Sequence, residues 1–247
     1  MIKLDFLDNN DFERGSLSEN HVHIWWVSLF IGDDQEQVLI KCLDRKQREK
    51  LSRIQNPAKR KYYIAGRAFL NRLLAFYIED FESKNEKLEL EIGKFGKPML
   101  KNQDDLQFNF SDTCGYGIFA FSRSNELGID LESLSRQGLF DRIVKRRFAD
   151  DEQFLIGKDI KEFLKCWTRK EAYGKAIGTG LNYPLRNFTM CRDLSEDEFQ
   201  IDSTDYFGQQ FLITEGRDSF VACLVSQGDK AKDIKAFHFK HDLNTAY

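Results

Sequence analysis

Two stretches of this chain place residues that could do chemistry at spacings that would bring them together. In Leu127-Gly128-Ile129-Asp130-Leu131-Glu132, apolar and acidic residues alternate with the period of a half-buried strand. Ile129 and Leu131 then face a core, while Asp130 and Glu132 share the other face with Cα atoms roughly 7 Å apart. Carboxylates that close repel each other unless a cation lies between them, so the pair suits a hard metal such as Mg²⁺. The second stretch, Trp167-Thr168-Arg169-Lys170-Glu171-Ala172-Tyr173-Gly174-Lys175, reads as a helix. Phe163, Trp167, Glu171 and Lys175 form one row on it, and Lys158, Lys161, Lys165 and Arg169 form a solvated stripe. A third carboxylate and an ammonium that continue an aromatic row fit a site holding a metal and a phosphate. Each stretch alone also has a plain reading, as a solvated strand face and as a surface ion pair between Glu171 and Lys175.

Other elements must position these side chains. Residues 22–29 are a continuous apolar run with Trp25 and Trp26, which predicts a buried strand. Asp44 and Gln47 have capping-box spacing, so a helix starts after Asp44. Asn56-Pro57 opens the next helix, whose apolar row continues to about Glu79. Gly66 within it costs about 1 kcal/mol relative to alanine, which predicts a close approach to its backbone. Residues 88–92, 106–110 and 117–121 alternate as strands, Gly93 to Pro98 form a turn, and Ser111 to Tyr116 connect the last two strands. A mostly helical block from about Leu139 to Ile177 breaks at Phe148-Ala149-Asp150-Asp151, where an aspartate can cap a helix beginning near Glu152. Strands return around residues 188–191, 210–214, 220–225 and 236–239. Each half reads as a strand, helices and a run of strands. The expected fold is α+β, with two pseudo-symmetric α/β lobes, residues 1–122 and 123–247, and the site in the cleft between them.

With 247 residues, 41% hydrophobic and 31% charged, the chain can bury a full core. A net charge of −3 gives no argument for nucleic acid. Asp5 comes too early for a secretory leader, and no apolar run approaches the roughly 18–20 residues of a membrane span. The scattered Cys42, Cys114, Cys166, Cys191 and Cys223, without Cys-x-x-Cys spacing, indicate reduced cytoplasmic thiols. His21, His23, His238 and His241 read as structural or surface residues. Basic residues crowd positions 41–67, among them Lys50, Arg53, Lys59 and Arg67. Such a run is a solvated face, a docking face for an acidic partner or phosphates, or an RNA surface, and no aromatic–glycine RNA motif accompanies it.

In this order the pieces resemble the Sfp-type 4′-phosphopantetheinyl transferases over nearly the whole length. The motifs are Gly96-Lys97-Pro98, Phe108-Asn109-Phe110-Ser111, Gly128-Ile129-Asp130-Leu131-Glu132, Phe148-Ala149-Asp150-Asp151-Glu152, and Trp167 through Lys175. The resemblance implies transfer of the phosphopantetheine arm of coenzyme A to a serine of an acyl or peptidyl carrier protein. It implies that Asp130, Glu132 and Glu171 hold Mg²⁺ against the pyrophosphate and that Lys175 contacts the phosphates. The proton acceptor is then Glu171, or second Glu152. Lys50 would meet the 3′-phosphate, and Gly93, Lys94, Phe95, Gly96, Lys97 and Pro98 would surround the adenine. Asn109, Phe110, Ser111 and Asp112 would line the same pocket. A monomer is expected from two lobes in one chain.

One departure bears on that pocket. The family has a histidine facing a phosphate where this chain has Asp112. A carboxylate there repels phosphate by roughly 4 kcal/mol at 4 Å in an effective dielectric of 20. Asp112 is therefore expected to pair with a lysine or cap a turn. The alternative function is a non-catalytic carrier-protein-binding scaffold that has lost coenzyme A binding through this residue.

Overall fold

The computed structural model describes residues 1–8, 12, 16–78, 88–101, 105–123, 125–138, 140–191, 198–228 and 233–239. In chain order, β1 (Ile2–Lys3), β2 (Leu7–Asp8) and β3 (His21–Ser28) precede α1 (Asp33–Leu39), α2 (Arg45–Leu51) and α3 (Pro57–Tyr77). A small hairpin, β4 (Leu90–Ile92) with β5 (Pro98–Leu100), leads to β6 (Leu106–Thr113), β7 (Tyr116–Arg123) and β8 (Leu127–Ser133). Next come α4 (Asp141–Arg147), α5 (Asp150–Ile156) and α6 (Ile160–Ala176). The last elements are β9 (Glu198–Ile201), β10 (Thr204–Glu215), β11 (Asp218–Gln227) and β12 (Asp233–Phe239). The expected helix limits at Glu79 and Leu139, and His241, lie outside the described residues.

Local chemistry sets where the helices begin. Asp44 accepts from the Gln47 backbone N–H at 2.7 Å, and the Gln47 side chain accepts from the Asp44 N–H at 3.0 Å, completing the expected box for α2. Asn56 accepts from the Lys59 N–H at 3.0 Å ahead of Pro57, as expected for α3. α5 differs, because it starts at Asp150 with Ala149 in the capping position, and no aspartate caps it.

Among the described residues the strands build two five-stranded sheets and the separate β4–β5 hairpin. One sheet has the order β2-β12-β3-β7-β6, the other β1-β10-β11-β8 with β9 on β10. The two share a core: Val22, Ile24, Trp26, Ile118 and Ala120 from the first pack on Ile129, Leu131, Phe220, Ala222 and Leu224 from the second. On its outer face the first sheet presents Trp25, Phe119 and Phe121 to Ala68, Phe69 and Leu73 of α3. The second presents Cys223 and Val225 to Phe163, Leu164 and Ala172 of α6. The result is four layers, helix on sheet on sheet on helix. The mixed α and β content agrees with the expected fold class.

The same strand order recurs in both halves. β3, β7 and β6 pair antiparallel around α3, as β8, β11 and β10 pair around α6. The chain ends cross over: β12 lies parallel to β3 in the first sheet, and β1 parallel to β10 in the second.

Several local expectations need correction. β8 is covered on both faces, because α6 lies over its acidic side. Ser111, Asp112 and Thr113 belong to β6, and the connection shrinks to Cys114-Gly115, both at positive φ (51° and 83°), the geometry of a tight hairpin turn. Residues 188–191 form no strand; they follow a short 3₁₀ turn at Leu185–Asn187 and cross beside α6. Open space, with nothing within 4 Å, surrounds the position a Gly66 Cβ would take, so no close approach explains that glycine. Arg169 is buried, its guanidinium donating to the Met190 carbonyl at 3.1 Å, and does not join a solvated stripe. No helix among the described residues is long and apolar enough to cross a membrane. Among the described residues no cysteine is in a disulfide.

Candidate active site

Gly128 lets the site form. A Cβ there would stand 2.1 Å from the Ala172 carbonyl oxygen and 2.4 Å from the Ala176 nitrogen, so only glycine allows α6 to lie on β8. That contact brings the acidic face of β8 against the row Phe163, Trp167, Glu171 and Lys175. Phe163 and Trp167 are buried, whereas Glu171 and Lys175 stay partly open.

Asp130 is the centre of the group. Its Oδ1 accepts from Lys175 Nζ at 2.7 Å and from Ser111 Oγ at 3.0 Å. Lys175 also donates to the Ile129 carbonyl at 3.0 Å. The other oxygen, Oδ2, is buried with no hydrogen-bond partner. Asn109 accepts from the Ile129 N–H at 3.0 Å, so β6 grips β8 by side chains at two successive inward positions. Ser111 and Asp130 thereby join one sheet to the other.

Glu132 accepts from Arg136 and, at 3.2 Å, from Trp167 Nε1. Burial raises its carboxyl above the ordinary range, with Asp130 adding to the rise and Arg136 opposing it. Glu171 moves further: burial first, then the charge of Asp130, push its pKa up to about 7, against Lys175 and Arg147. Among the described residues, no three acidic, histidine or cysteine side chains already stand as a metal-ligating group. The donor set nevertheless suits a hard divalent ion. It is all oxygen, one oxygen is orphaned in the interior, and two neighbouring carboxyls are raised, first by burial and then by the charge of Asp130.

The remaining expected residues divide. Lys50, on α2, lies over the Tyr63 ring at 5.7 Å, and its charge reaches Asp112. Arg67 stacks between Tyr63 and Phe110, 5.3 and 4.4 Å from the ring centroids. Its role was hidden in the run of basic residues; the signal was its place one helical turn after Tyr63. Arg147, which faces Glu171 and donates to the Leu181 carbonyl at 2.6 Å, was hidden likewise at the end of α4. The Asp112 side chain makes no hydrogen bond or ion pair among the described residues, neither the lysine pair nor the turn cap expected. It stays within the strand, opposite Gly117, one step short of a capping position.

Lys97 sits at the end of α6, donating to the Ala176 carbonyl at 2.6 Å. A cation there satisfies an orphan carbonyl and suits the helix dipole. Around it, the Gly93 N–H bonds the Lys97 carbonyl at 2.8 Å, Gly96 turns at φ +98°, and Lys94 lies 5.2 Å from the exposed Phe95 ring. Glu152 is set apart. Its Oε2 pairs with Lys170 at 2.7 Å and accepts from the Ala149 N–H at 2.9 Å, and its Oε1 accepts from the Met190 N–H at 2.9 Å. Both charged side chains are wholly buried, so Glu152 offers no oxygen to a substrate.

Known proteins place the chain in a family. The profile of the 4′-phosphopantetheinyl transferase superfamily matches residues 126–225, from β8 to β11. The 4′-phosphopantetheinyl transferase HetI of Nostoc sp. is 30% identical over 174 residues, which are 67% of this chain and 72% of that protein. The chain belongs to the 4′-phosphopantetheinyl transferase superfamily. A 4′-phosphopantetheinyl transferase named Sfp, of Bacillus subtilis, is 25% identical over 65% of this chain and 71% of its own length. A putative 4′-phosphopantetheinyl transferase of Synechocystis sp. is 29% identical over 62% of this chain and 64% of its own length, so the match spans less than two thirds of that relative. The superfamily match takes in Asp130, Glu132, Glu171 and Lys175.

Proposed function

We propose that this enzyme of the 4′-phosphopantetheinyl transferase class moves the phosphopantetheine arm of coenzyme A to a serine of an apo acyl or peptidyl carrier protein, releasing adenosine 3′,5′-bisphosphate. Asp130 carries this reading: one oxygen is held by Ser111 and Lys175, the other is buried and unsatisfied, and Glu171 and Glu132 stand close enough to feel its charge. The repeated strand order and the Ser111–Asp130 bond between sheets support an active site in a cleft between lobes 1–122 and 123–247.

Asp130, Glu132 and Glu171 would hold Mg²⁺. When bound, that ion supplies positive charge to the pyrophosphate as its bond breaks. The carrier serine oxygen attacks the phosphorus that bears the pantetheine arm, and the bond from that phosphorus to the adenosine bisphosphate oxygen breaks. Glu171 is assigned to accept the serine proton as that oxygen attacks. Lys175 donates to the departing phosphate and offsets its charge. Lys50 and the stacked Arg67 form a cationic wall for a further phosphate. Gly93, Lys94, Phe95, Gly96 and Pro98 are assigned to the adenine, with Lys97 anchoring their hairpin to α6. Asn109 and Ser111 position β8, and Phe110 backs Arg67. Glu152 is assigned a structural part.

The names of the relatives do not favour a non-catalytic scaffold. A monomer acting in the cytoplasm completes the reading. With coenzyme A, Mg²⁺ and an apo carrier protein, mass spectrometry should find about 340 Da added to the carrier, the mass of the transferred group. Several carriers left unmodified by folded protein would contradict the proposal.

A further inference from the structure

The cationic wall beside the acid group contains a negative charge of its own. Alternate side chains of β6 share a face, so Asp112 stands beside Phe110, whose ring carries the Arg67 guanidinium at 4.4 Å. Arg67 and Lys50 both lie over the Tyr63 ring, at 5.3 and 5.7 Å. From the neighbouring strand position, Ser111 reaches Asp130, which holds Lys175. The charges of Arg67 on α3, Lys175 on α6 and Lys50 on α2 all reach Asp112, with Arg67 held one ring away on Phe110. Part of Asp112 meets solvent, yet the protein around it raises its carboxyl, while Arg67, then Lys175, then Lys50 pull it down. Its side chain makes no hydrogen bond among the described residues, and Arg67, Lys175 and Lys50 are the charges that act on it.

We propose that Asp112 is the resident counter-ion of the basic group Lys50, Arg67 and Lys175, and that it lowers the selectivity of this group for a nucleotide bearing a 3′-phosphate over one that lacks it. A dianionic phosphate entering beside Arg67 must outweigh the carboxylate, whereas a nucleotide without that phosphate loses nothing by its presence. The inference rests on the proposed function for the identity of the nucleotide, since coenzyme A carries a 3′-phosphate.

The test is calorimetry on the full chain with adenosine 3′,5′-bisphosphate and with AMP. Asp112→Asn should tighten the bisphosphate about tenfold and leave AMP within about twofold, and the gain should shrink as salt rises. Asp112→Glu keeps the charge and should leave both affinities near wild type, which a purely structural role would not require. An unchanged bisphosphate affinity in folded Asp112→Asn, or equal gains for both nucleotides, overturns the inference. So does a wild type that binds neither nucleotide. Should carriers stay unmodified while the bisphosphate gain appears, the transferase reading fails and the counter-ion stands. Should carriers be modified with no change in the affinity ratio, the reverse holds.

Discussion

Lys170 and Lys175 stand on the same helix, and each ammonium lies 2.7 Å from a carboxylate oxygen. Lys170 and Glu152 are wholly buried and saturated, the lysine also donating to the Leu185 and Phe188 carbonyls at 2.6 and 2.9 Å. Lys175 and Asp130 keep contact with solvent, and one Asp130 oxygen has no partner. Ion-pair length therefore does not separate structural charge from chemical charge; what separates them is whether every donor and acceptor is already used. The saturated pair locks residues 185–190 onto α6. The unsaturated pair is free to exchange its partner for a ligand.

The comparison breaks most visibly under single substitutions. Glu152→Gln strands a buried ammonium and should cost about 3–5 kcal/mol in urea unfolding. Asp130→Asn should cost about 1 kcal/mol or less, yet slow carrier modification about 100-fold or more. Equal stability losses in the two variants would erase the distinction.

A second test uses pH. The Glu171 carboxyl is raised from 4.5 to about 7 by burial and by Asp130, so the folded chain keeps a proton there that the unfolded chain releases. Stability linked to this group is full at acid pH and declines as pH rises from about 4.5 to about 7. In metal-free buffer, Glu171→Gln should match wild type at pH 4 and exceed it at pH 8 by about 2 kcal/mol, a figure reduced for partial exposure. A variant with no advantage at pH 8 would mean the three acids do not share one field.

The smallest effect belongs to the hairpin. Lys97→Met removes a cation from the end of α6 and should lower stability by about 1 kcal/mol in thermal unfolding. No loss would show that its bond to Ala176 is replaceable by water.

Much of the working pair was legible in the sequence because it depends on local periods. Asp130 and Glu132 follow the strand period, and Glu171 and Lys175 continue the row of Phe163 and Trp167. The box at Asp44 and the cap at Asn56 were legible for the same reason. The saturated pair was not legible: Glu152 and Lys170 are paired only because residues 185–190 fold over α6 and supply Leu185, Phe188 and Met190. Only half of the Arg67 clamp was legible: Tyr63 lies one turn earlier on the same helix, but Phe110 comes from β6. The exchange of β1 and β12 between sheets is a long-range pairing with no sequence period of its own.

Whether Asp130, Glu132 and Glu171 act on one cation can be measured directly by titrating the chain with Mn²⁺, an oxygen-seeking ion, in the presence of coenzyme A and following the free-ion EPR signal. One ion should bind per wild-type chain, and Asp130→Asn and Glu171→Gln should each weaken it about tenfold or more. Mn²⁺ bound as tightly by both folded variants as by wild type would show that these acids do not form the metal site.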